Sequence, residues 1–497
     1  MMTPVRQNRA IRKMAKILFG GLVQGYDAIE RRRYGHWLRD HSPDDAALVC
    51  QKEESVKFGY RPLISIVVPL YNTPGDFFSA MVDSVRAQTY EHWELVLVDD
   101  ASTDSSIRRL VLEYAKQDRR IKYMFLKKNH HIAGATNQAI RHSTGEFVSL
   151  LDHDDILQPD ALFEVVRALN QNDYDFIYTD EDKIEAGDHQ AQPFFKPDWN
   201  PDFLRSVNYI THFVTIRRSI LEECGLENTH YNGAQDWELF LRIARSIPAQ
   251  KIHHVPKVLY SWRVHDESTA KAIETKPYVV DAQRQAIQDD LHARGYTSFE
   301  LDRDSHYPGQ WQLEFVAEAG RTVSIVVLGV SEGTLKRSDS NLGLYGDCEF
   351  VALPQNVSYK ELLSVASGEY IVLTSLTDIN SERFVGQLLG DASRADIGFV
   401  LARCEDDVMM ANLGSIVGKD QHSLLTKVGR RSVAKHLYTT TRYNIDTIHG
   451  GTVMIDRKKL QSIGDVLAGT FDIRKASAAM KHIGCRNLYN PYVEVVK

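Results

Sequence analysis

Four apolar runs stand between residues 64 and 151: Ile64-Ser65-Ile66-Val67-Val68, Trp93 to Val98, Ile121 to Phe125, and Phe147 to Leu151. Each has the length of one buried strand. The first leads into Pro69-Leu70-Tyr71-Asn72, the second into Asp99-Asp100-Ala101-Ser102, and the fourth into Asp152-His153-Asp154-Asp155. The stretches between them predict helices over Phe77 to Ala87, through Leu110 to Lys116, and over Gly134 to Arg141. Strands alternating with helices imply an α/β fold with a mostly parallel sheet. Its chemistry then belongs at the C-terminal edge of the strands. No G-x-G-x-x-G follows the first strand and no G-x-x-x-x-G-K-[ST] occurs, which disfavours dehydrogenase and P-loop readings.

The acidic tetrad at Asp152 lies at that edge. Two aspartates one residue apart suit a divalent cation carrying a diphosphate, because hard cations take oxygen ligands and share them with phosphates. Taken alone, the same residues also suit a polar turn ahead of a helix around Asp160 to Ala168.

A chain of 497 residues should form two or three domains. Its net charge of −7 gives no overall nucleic-acid footprint. The five cysteines are scattered and form no C-x-x-C pair, so neither a zinc site nor a disulfide framework is indicated, as in a reducing cytoplasm. No apolar run approaches the ~20 residues of a membrane-spanning helix. Residues 1–60 are expected to form a basic amphipathic, helical N-terminal region. There Ile11, Met14, Ala15, Leu18 and Leu22 share one helical face, with Arg9, Arg12, Lys13 and Lys16 largely on the other. Such a helix can lie in an anionic membrane surface, or pack on its own protein. Arg31-Arg32-Arg33, Tyr34 and Trp37 could extend that surface.

Residues 62–270 carry, in order, SIVVPLYNT, ELVLVDDASTD, GATNQAIRHSTGEFVSLLDHDD, YTDEDKI, FFKPDWNPD, NGAQDWELFLR and YSWRVHDEST. This ordered set resembles family-2 glycosyltransferases of the GT-A fold, inverting enzymes that use nucleotide-sugar donors. The TDEDK, FKPDWNP and WRVH elements look most like bacterial enzymes building surface polysaccharides such as O-antigen or capsule. The resemblance implies that Asp99 hydrogen-bonds the nucleotide base and that Pro69 and Tyr71 wall it. Asp152 and Asp154 match the family's D-x-D. Asp154 would coordinate the metal and Asp152 would reach ribose or metal, with the role of Asp155 open. His265 matches a histidine that completes the metal site, where Mn²⁺ or Mg²⁺ is expected; an imidazole beside carboxylates favours Mn²⁺. Asp236, in the motif with Trp237, would be the base that deprotonates the acceptor hydroxyl. Asp180, Glu181, Asp182, Lys196 and Trp199 are expected to touch donor sugar or acceptor, or to form a structural ion cluster, and Trp237 is a further expected donor or acceptor contact. Arg263 would face the diphosphate or make a surface salt bridge.

The C-terminal part repeats the first domain faintly. Val323-Ser324-Ile325-Val326-Val327 echoes the first strand, Cys348 to Val351 the second, and Ser367 to Leu373 echoes Thr144 to Leu150. This register places Ser375 opposite Asp152 and Thr377 opposite Asp154, with Leu353-Pro354 where Asp99 would be. Asp472 falls where Asp236 would. The expected organisation is a GT-A catalytic domain over 61–299, a linker over 300–320, and a degenerate GT-A-like domain over 321–497. The implied partners are a UDP- or dTDP-linked sugar, a lipid-linked saccharide acceptor, the cytoplasmic face of the inner membrane and other polysaccharide-assembly proteins. A nucleotidylyltransferase is disfavoured, because Pro69 to Thr73 lacks a Gly-rich, basic loop. A non-enzymatic carbohydrate-binding scaffold is the other alternative, strongest for the C-terminal domain.

Overall fold

The computed structural model describes residues 31–185, 189–264, 277–304, 309–330, 348–375, 384–403, 440–467 and 469–493. The first sheet contains β1 (Ile64–Leu70), β2 (Trp93–Asp99), β3 (Ile121–Phe125), β4 (Phe147–Leu150), β5 (Ile156–Leu157), β6 (Phe176–Glu185), β7 (His189–Phe194), β8 (Val214–Arg217) and β9 (Ile252–Arg263). Their order is β3-β2-β1-β4-β8-β6-β9-β5, with β7 on the outer part of β6. β3, β2, β1 and β4 are parallel, β8 runs antiparallel between β4 and β6, and β9 is parallel to β6. Both faces of the sheet are apolar because both are covered. In β1, Ile64, Ile66, Val68 and Leu70 face Phe78, Met81, Val82 and Val85 of the helix Gly75–Arg86. Val67 belongs to the opposite layer, with Ala135, Ala139 and Ile140 of the helix His131–His142.

The second sheet contains β12 (Val323–Leu328), β13 (Cys348–Leu353), β14 (Tyr370–Thr374), β15 (Ile397–Ala402), β16 (Tyr443–Ile445), β17 (Val453–Asp456) and β18 (Arg486–Asn490). Its order, β13-β12-β14-β17-β15-β18-β16, repeats the run β2-β1-β4-β8-β6-β9 of the first sheet strand for strand. Every pairing keeps its direction: parallel at β12–β13, β12–β14 and β15–β18, antiparallel at β14–β17 and β15–β17.

A buried polar knot is repeated as well. Ser65 Oγ donates to Glu94 (2.6 Å), which also accepts from the backbone of Thr144 and Gly145. Ser324 donates to Glu349, which accepts Ser367 N (2.6 Å), while Gly368 N reaches Ser324 Oγ (2.7 Å). Both glycines are required by close approach. A Cβ on Gly145 would lie 2.6 Å from Leu63 O, and one on Gly368 would lie 2.6 Å from Ser324 N. Ile64 pairs with Phe147 and Val323 with Tyr370, so Ser375 stands opposite Asp152. Thr377 lies outside the described residues. Asp472 precedes its helix, Ile473–Ala479, and caps it by accepting Arg474 N (2.8 Å).

Two expectations are corrected here. The segment expected as a linker is a hairpin of β10 (Phe299–Arg303) and β11 (Trp311–Phe315). Its alternating Trp311, Leu313 and Phe315 are buried, which a free connector could not sustain. One apolar cluster runs through residues of both sheets and this hairpin. The second correction concerns Tyr34 and Trp37. They lie in a helix through residues 31–41 that packs on the first domain instead of offering a lipid surface. Tyr34 OH donates to Asp182 (2.7 Å), and Trp37 meets Phe195 edge-on at 5.0 Å. The basic amphipathic stretch before residue 31 lies outside the described residues. Among the described residues, no helix is long and apolar enough to cross a membrane.

Candidate active site

Parallel pairing brings the ends of β1, β2 and β4 to one edge. Asp99 closes β2 opposite Leu70 and is almost fully buried. Its carboxylate accepts Ser102 N (3.2 Å) and Arg108 Nε (3.1 Å). Asn72 and Ala101 take positive φ in the two adjoining loops, and Asn72 Oδ1 ties the loops together by accepting Thr103 N (2.9 Å). Beside Asp99, Pro69 is half-buried and Tyr71 is exposed.

The tetrad after β4 divides by direction. Asp155 is buried and accepts from Tyr260 OH (2.5 Å) and Arg263 N (2.8 Å), both on β9. Burial, followed by the charges of Asp154 and Asp152, raises its pKa well above the ordinary carboxylate range. Asp152 instead points to His212, with Oδ2 3.4 Å from Nε2. The other ring nitrogen of His212 lies 3.4 Å from Glu181 Oε2, and the ring stacks on Tyr260 at 4.6 Å. Desolvation opposes the imidazolium, but the two flanking carboxylates outweigh it and raise His212 well above its usual value. Glu181 is buried too, yet Lys196, His212 and Thr211 hold it down at about 2.

Asp180, Glu181 and Asp182 lie within β6 and alternate across it. Asp180 meets His254 (2.9 Å) and Lys196 N (2.8 Å); Asp182 meets Tyr34, Ser261 (2.5 Å) and Gln190 (3.0 Å). Only the middle residue, Glu181, reaches His212. Lys196 is fully enclosed: its Nζ donates to Glu181 (3.0 Å), Ile210 O (2.7 Å) and His212 O. Those bonds shape the loop that carries His212 and leave Lys196 no donor for a sugar. Trp237 is likewise buried, with Nε1 donating to Leu204 O (2.7 Å). For Lys196 and Trp237, therefore, the expected donor or acceptor contact gives way to a structural role. Trp199 is half-buried at the junction with the second domain. The Arg263 Nε–H donates to Asp154 O (3.0 Å), and its guanidinium lies over Phe77 at 4.7 Å.

Asp236 is the second residue of the helix Gln235–Ser246, where the positive helix end favours a carboxylate. It is half-buried and accepts Asn208 Nδ2 (2.7 Å). Desolvation raises its pKa, the backbone of Trp237, the charge of His212 and the Asn208 bond lower it, Asp152 raises it further, and the net shift is upward. Asp236 therefore shares an electrostatic field with Asp152 and His212.

Among the described residues, one set of candidate cation ligands emerges: atoms of Asp152, Asp155 and His212 lie within 4.8 Å of one another. Two carboxylates and an imidazole fit Mn²⁺ chemically. Asp154 is outside this set, its carboxylate 3.8 Å from His153 Nδ1, and His265 lies outside the described residues.

His212 and Glu227 escaped the sequence reading. The strand order is what places His212. A strand antiparallel to β4 must begin where β4 ends, and Val214 pairs with Leu150, so the residues just before β8 face the tetrad. Glu227 is buried, its Oε2 has no hydrogen-bond partner among the described residues, and Asn137 clamps its backbone (2.7 and 3.0 Å). Burial, then the charges of Asp236 and Asp152, push its pKa up to about 8. Nothing in its sequence context announces that burial.

Residues 65–225 match the model of the family described as Glycosyl transferase family 2. The chain is 44% identical over 231 residues to an uncharacterized protein, y4gI, of Sinorhizobium fredii, covering 46% of this chain and 25% of that one. It is 34% identical over 295 residues to the O-antigen biosynthesis protein RfbC of Myxococcus xanthus, covering 59% and 23%. The chain thus spans about a quarter of the length of these curated relatives. A mannosyltransferase from Pyrobaculum calidifontis, solved with GDP-Man and Mn²⁺, is similar at 22% identity and a TM-score of 0.36, covering 56% of this chain and 79% of that one. Residues 65–225 are a family-2 glycosyltransferase domain, and the first sheet has the GT-A fold.

Proposed function

We propose that this chain is an inverting glycosyltransferase. It moves a sugar from a nucleoside diphosphate, UDP or dTDP, to a hydroxyl of a lipid-linked or growing bacterial surface polysaccharide. The relationship to an O-antigen biosynthesis protein supports that acceptor class. The observation that carries the reading is Asp236, a carboxylate of raised pKa at a helix start, in the field of Asp152 and His212. As the acceptor oxygen attacks the anomeric carbon, its proton passes to Asp236. The bond from that carbon to the diphosphate oxygen breaks, and the electron pair leaves with the nucleotide. Asp99 stands where the base would be read. The protonated His212 offers positive charge beside Asp152. A divalent cation, held by Asp152 with Asp154 or Asp155, would supply further neutralisation of the leaving diphosphate, and His212 would join its ligands only as the neutral imidazole, after giving up that proton. Work at the cytoplasmic face of the inner membrane, beside other assembly proteins, fits a lipid-linked acceptor.

The second domain is non-catalytic in this reading. Its counterpart of Asp152 is Ser375, the position after β13 is Pro354, and Asp472 is spent as a helix cap. Calorimetry with UDP and dTDP, with and without Mn²⁺, tests the proposal. Metal-dependent binding that is lost in Asp152→Asn is expected. Absence of any nucleotide binding would favour a carbohydrate-binding scaffold.

A further inference from the structure

A cavity of about 150 Å³ lies where the two domains meet, away from the tetrad. One wall is the loop Pro197 to Asn200; the other is built by Asn444 to Asp446, Ser477, Lys481 and Cys485 to Asn487. Its frame is fixed. Asn200 holds both Asn444 N and Asn444 O at 2.8 Å, and Asn487 Nδ2 donates to Asp446 O and Ser477 O at 3.0 Å.

Several lining groups are not consumed by the frame. Trp199 is half-buried: it packs against the apolar core and also lines the cavity. The Asp198 side chain is 93% exposed, with a single tie from its Oδ1 to His254 (3.2 Å). Neither the Asp446 carboxylate nor the Lys481 ammonium has a hydrogen bond or ion pair among the described residues. Arg486 directs a terminal nitrogen to Asp396 (2.5 Å) and leaves its Nε–H without a partner.

An indole beside carboxylates and cationic donors matches the two faces of a sugar. The ring stacks on C–H groups, carboxylates accept from hydroxyls, and Lys and Arg donate to them. The cavity is smaller than the ~300–1,000 Å³ pockets that enclose drug-sized ligands, so it holds no more than one monosaccharide unit. Because Arg486 is paired with Asp396, Asp198 and Asp446 outnumber the remaining cation, Lys481, and the lining favours a neutral ring over a uronate. Trp199 in the cavity lies three positions after Lys196, which shapes the active-site loop, a span of at most ~11 Å.

We propose that this junction is a subsite for a neutral pyranose of the acceptor glycan, with Trp199 and Asp198 from the catalytic domain and Asp446 and Lys481 from the second. The inference rests on the glycosyltransferase reading for the identity of the glycan, and it gives the eroded domain a part in acceptor selection. Saturation-transfer NMR on the full chain tests it, with the methyl glycosides of glucose, galactose, mannose and N-acetylglucosamine and with glucuronate as the anionic control. At least one neutral glycoside should bind, undisplaced by UDP and Mn²⁺, and glucuronate should not. Asp446→Asn and Lys481→Met, both at exposed positions, should each weaken binding about tenfold or more, and Trp199→Ala should abolish it. The inference is overturned if no neutral glycoside binds, or if binding survives all three substitutions. Nucleotide binding measured on the same sample separates the two readings. Nucleotide without sugar refutes only the subsite, and sugar without nucleotide refutes only the transferase.

Discussion

Lys196→Met removes a buried ammonium that Glu181 and two backbone carbonyls depend on. The methionine fills similar volume, so the effect is electrostatic. Glu181 keeps Thr211 (2.7 Å) and His212 but loses the full charge 3.0 Å away, and Ile210 O and His212 O lose their donor. Breaking one side of a buried pair costs about 3–5 kcal/mol. The proton linkage gives the same scale. Moving Glu181 from 4.5 to about 2 at ~1.36 kcal/mol per unit is about 3 kcal/mol, the net of its burial against Lys196, the largest favourable charge, together with His212 and Thr211. Because this pKa is depressed, the contribution is fully present above pH 4.5 and is lost as pH falls toward 2. Urea denaturation of the metal-free protein should therefore show a stability gap of about 3 kcal/mol between wild type and variant at pH 6. That gap should narrow steadily below pH 4.5. A gap under ~1 kcal/mol, or one unchanged between pH 6 and pH 3, would refute the assignment of Lys196 as the partner of Glu181.

Gly145→Ala and Gly368→Ala should each destabilise their own domain by roughly 2–4 kcal/mol, because the new methyl meets backbone atoms at 2.6 Å. Thermal denaturation checks this, and an unchanged melting temperature would contradict the close approach. Glu227 has a raised pKa, so its contribution is present below pH 4.5 and is lost as pH rises through about 8. Glu227→Gln should then be more stable than wild type at pH 9 by a few kcal/mol and nearly equal to it at pH 4, read by denaturant midpoints at both pH values. The rate of sugar transfer should fall as pH drops through the raised pKa of Asp236, because the base must be ionised to accept a proton.

The strands from Ile64 to Leu150 were legible because their burial is carried by their own apolar side chains. β6 was legible only as far as Tyr178. It continues through Asp180, Glu181 and Asp182, whose burial depends on His254, Lys196, Ser261 and Tyr34 from distant segments. No local pattern reveals such partners. The hairpin of β10 and β11 lies where a linker is expected, although Trp311, Leu313 and Phe315 alternate as a half-buried strand should. The faint repeat was readable from Ser-Gly-Glu and Thr-Gly-Glu. Its physical basis, a glycine pressed against a serine-bearing strand in both copies, needed coordinates. At the site, Asp99, Asp152 and Asp236 could be named from their motifs. His212 could not, because its place depends on which strand lies beside β4.

The most direct test of Asp236 as the base is single-turnover transfer by Asp236→Asn, using the lipid-linked glycan pool as acceptor and calorimetry to follow the nucleotide. Transfer should fall by roughly 10²–10⁴-fold while the affinity for nucleotide with Mn²⁺ stays close to wild type. Near-wild-type transfer by this variant would contradict the assignment and leave the half-buried carboxylate at the helix start without a chemical role.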